Sequence, residues 1–303
     1  MARQGKQKQN TIPGPAIVGQ AQATILAQPI MARLKYKADF DLEVNTSWPG
    51  ETSVTRIVGL TMVSDGSLVL IDCRNKSIKV FKPKWYEAVI RHDLDEEPTG
   101  IASNDADEII VTFAHKLEVR RYRIGSEKLI VPLKCFTLNE KPYSLSFSKN
   151  TLAIEIGEGS YGSIIVTDMD GDELEKISGN RRHFGMFTGN TIRLSHDHDA
   201  GCLYVVDIAK EYVNCVDYEG NIKWQTNIKG PRGIVINGDS LFVASKTVNS
   251  IFQIDKGTGK YSNFLTSTDR IIQPRFIACQ QSKLKLAVEV GGNVVNMYKC
   301  KTN

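Results

Sequence analysis

The chain has 303 residues, 41% of them hydrophobic and 24% charged, and a formal net charge of +4. These are the proportions of an ordinary globular protein and exclude a fibrous or disordered chain. Dedicated nucleic-acid domains concentrate far more positive charge. No run approaches the ~18 apolar residues of a membrane span, so no membrane partner is expected.

Six cysteines stand at 73, 135, 202, 215, 279 and 300, without a CxxC and without a regular pairing distance. Most lie among apolar residues, as in Leu133-Lys-Cys135-Phe136, where a free thiol behaves as a small hydrophobe. Buried, reduced cysteines and a reducing, cytoplasmic location are expected.

Residues 1–32 are rich in Gln, Ala, Gly and Pro without a period and read as a flexible linker or tail. Arg3, Lys6 and Lys8 precede the first acidic residue, Asp39, as in a mitochondrial presequence, but Pro13, Pro15 and Pro29 break any helix. From residue 33 onward, short β-branched and aromatic runs alternate with Gly, Asn, Asp and Lys clusters.

Those runs repeat. Apolar segments begin at Leu68, Ile109, Leu152, Leu203, Leu241 and Leu284, at intervals of 41, 43, 51, 38 and 43 residues. An alternating run follows each one, starting at Ile78, Leu117, Ile164, Val213, Ile251 and Val294. Another precedes each, often opened by a small residue, as at Gly59, Gly100, Ser144 and Gly233. A unit of about 40 residues holding three or four short strands is a propeller blade. The middle runs are apolar throughout because neighbouring blades cover both of their faces. The fold class is therefore all-β, a six-bladed β-propeller over residues 33–303.

The ends decide how the ring closes. Only five residues follow Tyr298, so the sixth blade lacks an outer strand. A spare run, Arg33 to Val44, precedes the first blade. If that run completes the last blade, no sheet edge is left open.

Several enzyme-like motifs receive ordinary addresses in this repeat. Gly157-Glu-Gly159-Ser-Tyr-Gly162 matches GxGxxG, but a strand follows it where a dinucleotide site needs a helix. Asp168-Met-Asp170-Gly-Asp172 resembles a calcium loop with its glycine misplaced and reads as a turn. His196-Asp-His198-Asp199 offers at most two ligands and reads as a solvated turn. Gly257-Thr-Gly-Lys260 lacks the spacing of a phosphate loop, and no G-x-S-x-G elbow occurs. A calcium-dependent, lactonase-like propeller enzyme would need carboxylates and amides on the inner strands. Those positions are mostly apolar or hydroxyl, with Arg193 the exception. No catalytic residue, metal or cofactor is expected.

The first blade, Gly59-Leu-Thr-Met-Val-Ser-Asp-Gly66 through Asp72, Asn75 and Ile78 to Phe81, resembles an NHL repeat. The fifth keeps Pro231-Arg-Gly233-Ile and Asn249-Ser-Ile251, and the fourth keeps Asp207 and an Asp199-Ala-Gly201 turn. The whole region is similar to the C-terminal propellers of tripartite-motif proteins of invertebrate animals. That resemblance implies a recognition domain for protein or RNA, linked to the ubiquitin pathway. The RING and B-box zinc spacings of such proteins are absent from this sequence.

In a propeller, the loops leading into each blade share a face with the loops joining second to third strands. The latter hold Arg74, Lys76, His115, Lys116, Tyr161, Lys210, Tyr212 and Lys246. The former hold Arg56, Tyr143, Lys229, Arg232, Arg270 and Arg275. Glu158, Glu211 and Asp269 are the clear acids, so a basic face is expected. The longest loop, 179–190, sets Arg181, Arg182 and His183 beside Phe184 and Phe187, which suits either base stacking or a protein hot spot. The expected binding set is Arg74, Lys76, Lys116, Tyr143, Arg181, Arg182, Phe184, Lys210, Arg232, Lys246 and Arg275. The expected partner is a protein, with single-stranded RNA as the alternative, bound by a monomeric chain. Deleting residues 33–44 is expected to unfold the whole domain. A truncated chain that stays soluble with an unchanged melting temperature would contradict closure by that strand.

Overall fold

A computed structural model describes residues 35–104, 106–125, 129–158, 161–178, 192–280 and 284–302. The expected tail, 1–32, and the long loop, 179–190, lie outside the described residues. β1 (Tyr36–Asn45) comes first and belongs to the last blade. Blade one is β2 (Ile57–Met62), β3 (Leu68–Asp72), β4 (Ser77–Lys82) and β5 (Glu87–Asp93). Blade two is β6 (Gly100–Ser103), β7 (Glu108–Phe113), β8 (Glu118–Ile124) and β9 (Ile130–Thr137). Blade three is β10 (Pro142–Ser148), β11 (Thr151–Glu158), β12 (Tyr161–Asp168) and β13 (Glu173–Ser178). Blade four is β14 (Ile192–Asp197), β15 (Cys202–Asp207), β16 (Tyr212–Asp217) and β17 (Ile222–Asn227). Blade five is β18 (Pro231–Asn237), β19 (Ser240–Ser245), β20 (Ser250–Asp255) and β21 (Tyr261–Leu265). Blade six is β22 (Ile277–Gln280), β23 (Lys285–Glu289) and β24 (Val294–Thr302), completed by β1. All six sheets are four-stranded and antiparallel, which makes the molecule a six-bladed β-propeller.

The apolar second strands explain how the blades stack. Alternate side chains leave opposite faces of a strand. Val69 and Ile71 therefore join Ile101, Ile109, Val111 and Phe113 of blade two in one cluster. Leu68 and Leu70 turn the other way, against Ala287, Val295 and Met297 of blade six. The pattern continues round the ring, one apolar cluster filling each seam. β3, β7, β15 and β19 are buried along their whole length for this reason. Small residues at the starts of the inner strands have an equally direct cause. A Cβ on Gly100 would lie 2.2 Å from the Tyr143 carbonyl oxygen, and one on Gly233 would lie 2.9 Å from that of Arg275.

Ring closure takes the expected form. β1 pairs antiparallel with β24 from Tyr36 opposite Thr302 to Asn45 opposite Val294, with a bulge between Phe40 and Leu42. The Arg270 guanidinium lies 4.2 Å over the Phe40 ring and ties the loop after blade five to this strand. The segment from β1 into blade one is fixed by a buried ammonium. Lys79 Nζ donates to Asp72 Oδ2 at 2.9 Å, Glu51 Oε2 at 2.7 Å, Thr55 Oγ1 at 3.0 Å and the Thr46 carbonyl at 3.3 Å. Asp72 also accepts the backbone N–H groups of Arg56, Arg74 and Asn75, so one carboxylate organises two loops.

One expectation about the cysteines is corrected. All six are free and four are buried, but Cys135 is exposed and Cys279 is only partly covered. Cys135 lies on β9, an outer strand whose residues from Val131 to Cys135 all face solvent, so apolar neighbours in sequence do not imply burial there. Gly157 of the GxGxxG segment pairs with Gly162 across β11 and β12, and a strand, not a helix, follows. Among the described residues, no helix is long and apolar enough to cross a membrane.

The Lys79 cluster yields a stability test. Asp72→Asn leaves a fully buried ammonium short of one charge partner. Equilibrium urea unfolding is expected to show a loss of about 3–5 kcal/mol. Adding Lys79→Met to that change is expected to recover part of it.

Candidate functional site

Two sets of loops build one face, and the backbone joins them. The turns between second and third strands are short, and Lys76, Leu117, Glu211 and Asn249 each close one with φ between 44° and 60°. In three blades the carbonyl of that residue accepts an N–H from the loop leading to the next blade. Leu94 donates to Lys76 at 2.7 Å, Leu138 to Leu117 at 2.7 Å and Ile228 to Glu211 at 3.0 Å. The loops that carry side chains to a partner are thus held by the ladder itself.

A central channel of about 920 Å³ runs along the inner strands of all six blades, from Arg193, Gly233 and Phe276 next to this face to Lys149, Asp199 and Lys256 at the opposite end. Hydroxyl side chains bridge neighbouring inner strands along it. Ser144, Ser146 and Ser148 of β10 accept the N–H groups of Leu194, His196 and His198 at 3.3, 3.0 and 3.2 Å. Thr99 Oγ1, just before β6, donates to the Pro142 carbonyl at 3.0 Å, and Ser103 Oγ to that of Met62 at 3.1 Å. Open strand edges facing the channel are satisfied in this way.

The predicted binding residues divide into three groups. Arg74 and Lys116 are exposed on blades one and two, and Lys76 stands 3.9 Å from Glu96. Tyr143 and Lys246 are half-buried, and Lys210 is exposed with its Nζ 4.0 Å from Asp207. Arg232 and Arg275 come together at the channel mouth, directly before the lining residues Gly233 and Phe276. Arg181, Arg182 and Phe184 lie outside the described residues.

Arg193 of β14 joins that mouth, in the channel wall. Its guanidinium carbon lies 5.5 Å over the Phe276 ring, and its Nη1 donates to the Ile192 carbonyl at 2.7 Å. Burial lowers its proton affinity below the ordinary arginine value; Glu155 opposes this and Arg232 adds to it. Arg232 is lowered in the same way, by burial and then by Arg275, with Glu211 opposing. Arg275 is raised by its hydrogen bonds to the buried Glu289, whose two carboxylate oxygens take Nε at 3.1 Å each. The sequence carried a signal for this cluster: Arg193, Arg232 and Arg275 each sit at the start of an inner-strand segment.

Two expectations are corrected. The face is not uniformly basic, because Asp95, Glu96 and Glu97, in the loop leading into blade two, also belong to it. Asp95 pairs with Arg120, and Glu96 approaches Lys76. His196 is not on a solvated turn. It is 3% exposed near the far end of the channel, and its Nε2 shares a 2.7 Å hydrogen bond with Tyr218 Oη. The turn starts two residues later and closes at Gly201, with φ 57°. Among the described residues, no three His, Cys, Asp or Glu side chains converge as a metal site.

No protein-family model and no curated protein matches the chain. Solved structures do. A selenomethionine-substituted virginiamycin B lyase from Staphylococcus aureus is 17% identical, with a TM-score of 0.56 over 87% of this chain and 88% of that one. A streptogramin B lyase is 14% identical, with a TM-score of 0.58 over 88% of each chain. A chain of a nidogen/laminin complex is 18% identical, with a TM-score of 0.58 over 74% of this chain and 85% of that one. At such identities the likeness establishes the fold, and the class the structure defines is the six-bladed β-propeller.

His196 makes stability depend on pH. Burial, aided by His198 and opposed by Asp197, lowers its pKa to about 4 from 6.5. Between those values the unfolded chain binds more protons, so stability rises with pH and is lost as pH falls from about 6.5 to about 4. The full loss is about 3 kcal/mol. Unfolding curves at several pH values should lose this component in His196→Gln.

Proposed function

We propose that this propeller is a non-catalytic recognition module that binds a protein partner on the face surrounding the channel mouth. The carrying observation is the composition of that face. It mixes acids with bases and exposes Val54, Val248 and Ile272, at 66%, 42% and 59%. Apolar side chains ringed by both signs of charge suit a protein surface. Single-stranded RNA calls for exposed rings along a basic track. Among the described residues of this face Trp48, Tyr143 and Tyr212 are half-buried, and the exposed Trp85 lies on the opposite face.

This reading agrees with the NHL-like pattern of the first and fifth blades. By analogy with tripartite-motif ubiquitin ligases, the propeller would select substrates for a cytoplasmic ubiquitin pathway. The nidogen/laminin neighbour is a propeller found in a protein complex. The lyase neighbours mark the enzymatic alternative.

Changing Val54, Val248 and Ile272 together to glutamate is expected to leave the melting temperature nearly unchanged. Proteins captured by the wild type should be lost from the variant, with affinity reduced about tenfold or more. Capture that disappears after ribonuclease treatment would overturn the protein reading.

A further inference from the structure

The channel mouth has an electrostatic problem that the described residues leave unsolved. Arg56, Arg193, Arg232 and Arg275 stand at or next to the starts of the inner strands of blades one, four, five and six. Among the described residues, only Arg275 has a carboxylate within ion-pair distance, that of Glu289. The side chain of Arg193 donates to the Ile192 carbonyl, and that of Arg232 to the Pro231 carbonyl at 3.3 Å. A guanidinium has five N–H donors and does not deprotonate in a protein. Most of the donor capacity of Arg193 and Arg232 is therefore open, on half-buried groups that repel each other.

We propose that this mouth is a carboxylate site, in which Arg193 and Arg232 together receive an aspartate or glutamate side chain from an acidic segment of the protein partner. The assignment rests on the recognition reading above. The fold presets the pair. The missing Cβ of Gly233 lets the inner strands of blades five and six approach, and Phe276 backs the Arg193 guanidinium. A planar fork held in place matches a carboxylate through two parallel hydrogen bonds.

The local charges favour a carboxylate. Glu155 and Glu211 act on Arg193 and Arg232, but among the described residues neither lies within ion-pair distance of them. A carboxylate seated between the two guanidinium groups supplies the missing ion pair. A phosphodiester chain needs a continuous basic path, and Asp95, Glu96 and Glu97 interrupt the face over blades one and two.

The test uses a fluorescein-labelled peptide of alternating Glu and Gly, its Gln counterpart and a short oligouridylate, read by anisotropy at low salt. The Glu peptide is expected to bind about tenfold more tightly than the Gln peptide. Arg193→Gln and Arg232→Gln should each abolish most of that difference, while Lys223→Gln, on the exposed outer strand of blade four, should not. Arg232→Lys keeps the charge without the fork and should also weaken binding, which guards against a glutamine variant that fails to fold. Equal binding of the two peptides, or equal sensitivity to Lys223→Gln, overturns the proposal. Tighter oligouridylate binding that depends on Arg193 and Arg232 overturns it in favour of phosphate. If the peptide fails while capture through Val54, Val248 and Ile272 persists, the recognition reading stands and the carboxylate assignment falls. Loss of both removes the reading itself.

Discussion

The ladder between β1 and β24 is the constraint on which everything else depends. Each of the other blades is built from four consecutive strands, but blade six draws its outer strand from the opposite end of the chain. Without that strand, β24 would present an open row of backbone donors and acceptors, a template for unwanted pairing. The apolar seams also need closure, since Val295 and Met297 face Leu68 and Leu70 only when blade six sits beside blade one. The buried Lys79 cluster then locks the segment that leaves β1. A fully buried lysine is costly unless paired, so the surrounding loop has little freedom to rearrange.

A ring so fixed sets the separations at its centre. Inner strands of neighbouring blades approach closely enough for serine and threonine hydroxyls to bond their backbones, so residues at the strand starts become neighbours across blades. Three arginines far apart in sequence meet at one mouth by this route. Their mutual repulsion is tolerated because Glu289 is buried beneath Arg275 and because seam packing, rather than local preference, decides where each strand begins.

Fold and site were unequally legible in the sequence. Alternation and repeat length are properties of single strands, so the six apolar runs and the spare N-terminal run carried the architecture by themselves. The shared left-handed residue of the turns was hidden, because Lys76, Leu117, Glu211 and Asn249 have nothing in common as residue types. Their common conformation follows from the ladder on either side. His196 looked like part of a polar turn because Asp197, His198 and Asp199 surround it in sequence, whereas strand pairing carries it inward to Tyr218. The face looked basic because Asp95, Glu96 and Glu97 follow an outer strand and no motif marks the loop they occupy. Arg193 stood out as a charged residue on an inner strand, but only the ring brings it to Arg232 and Arg275.

The join between β1 and β24 also has a mechanical character. Tyr36 and Thr302 face each other at one end of the antiparallel ladder, so a pull applied at those two points loads its bonds one after another. The seam would open like a zipper from that end, stepping past the bulge near Asp41, while the other blades, whose strands follow one another in sequence, kept their pairing. Tension applied across the ring from blade one to blade four would instead load whole seams at once. The propeller is therefore a belt with a single buckle, compliant in one direction of pull and stiff in the others.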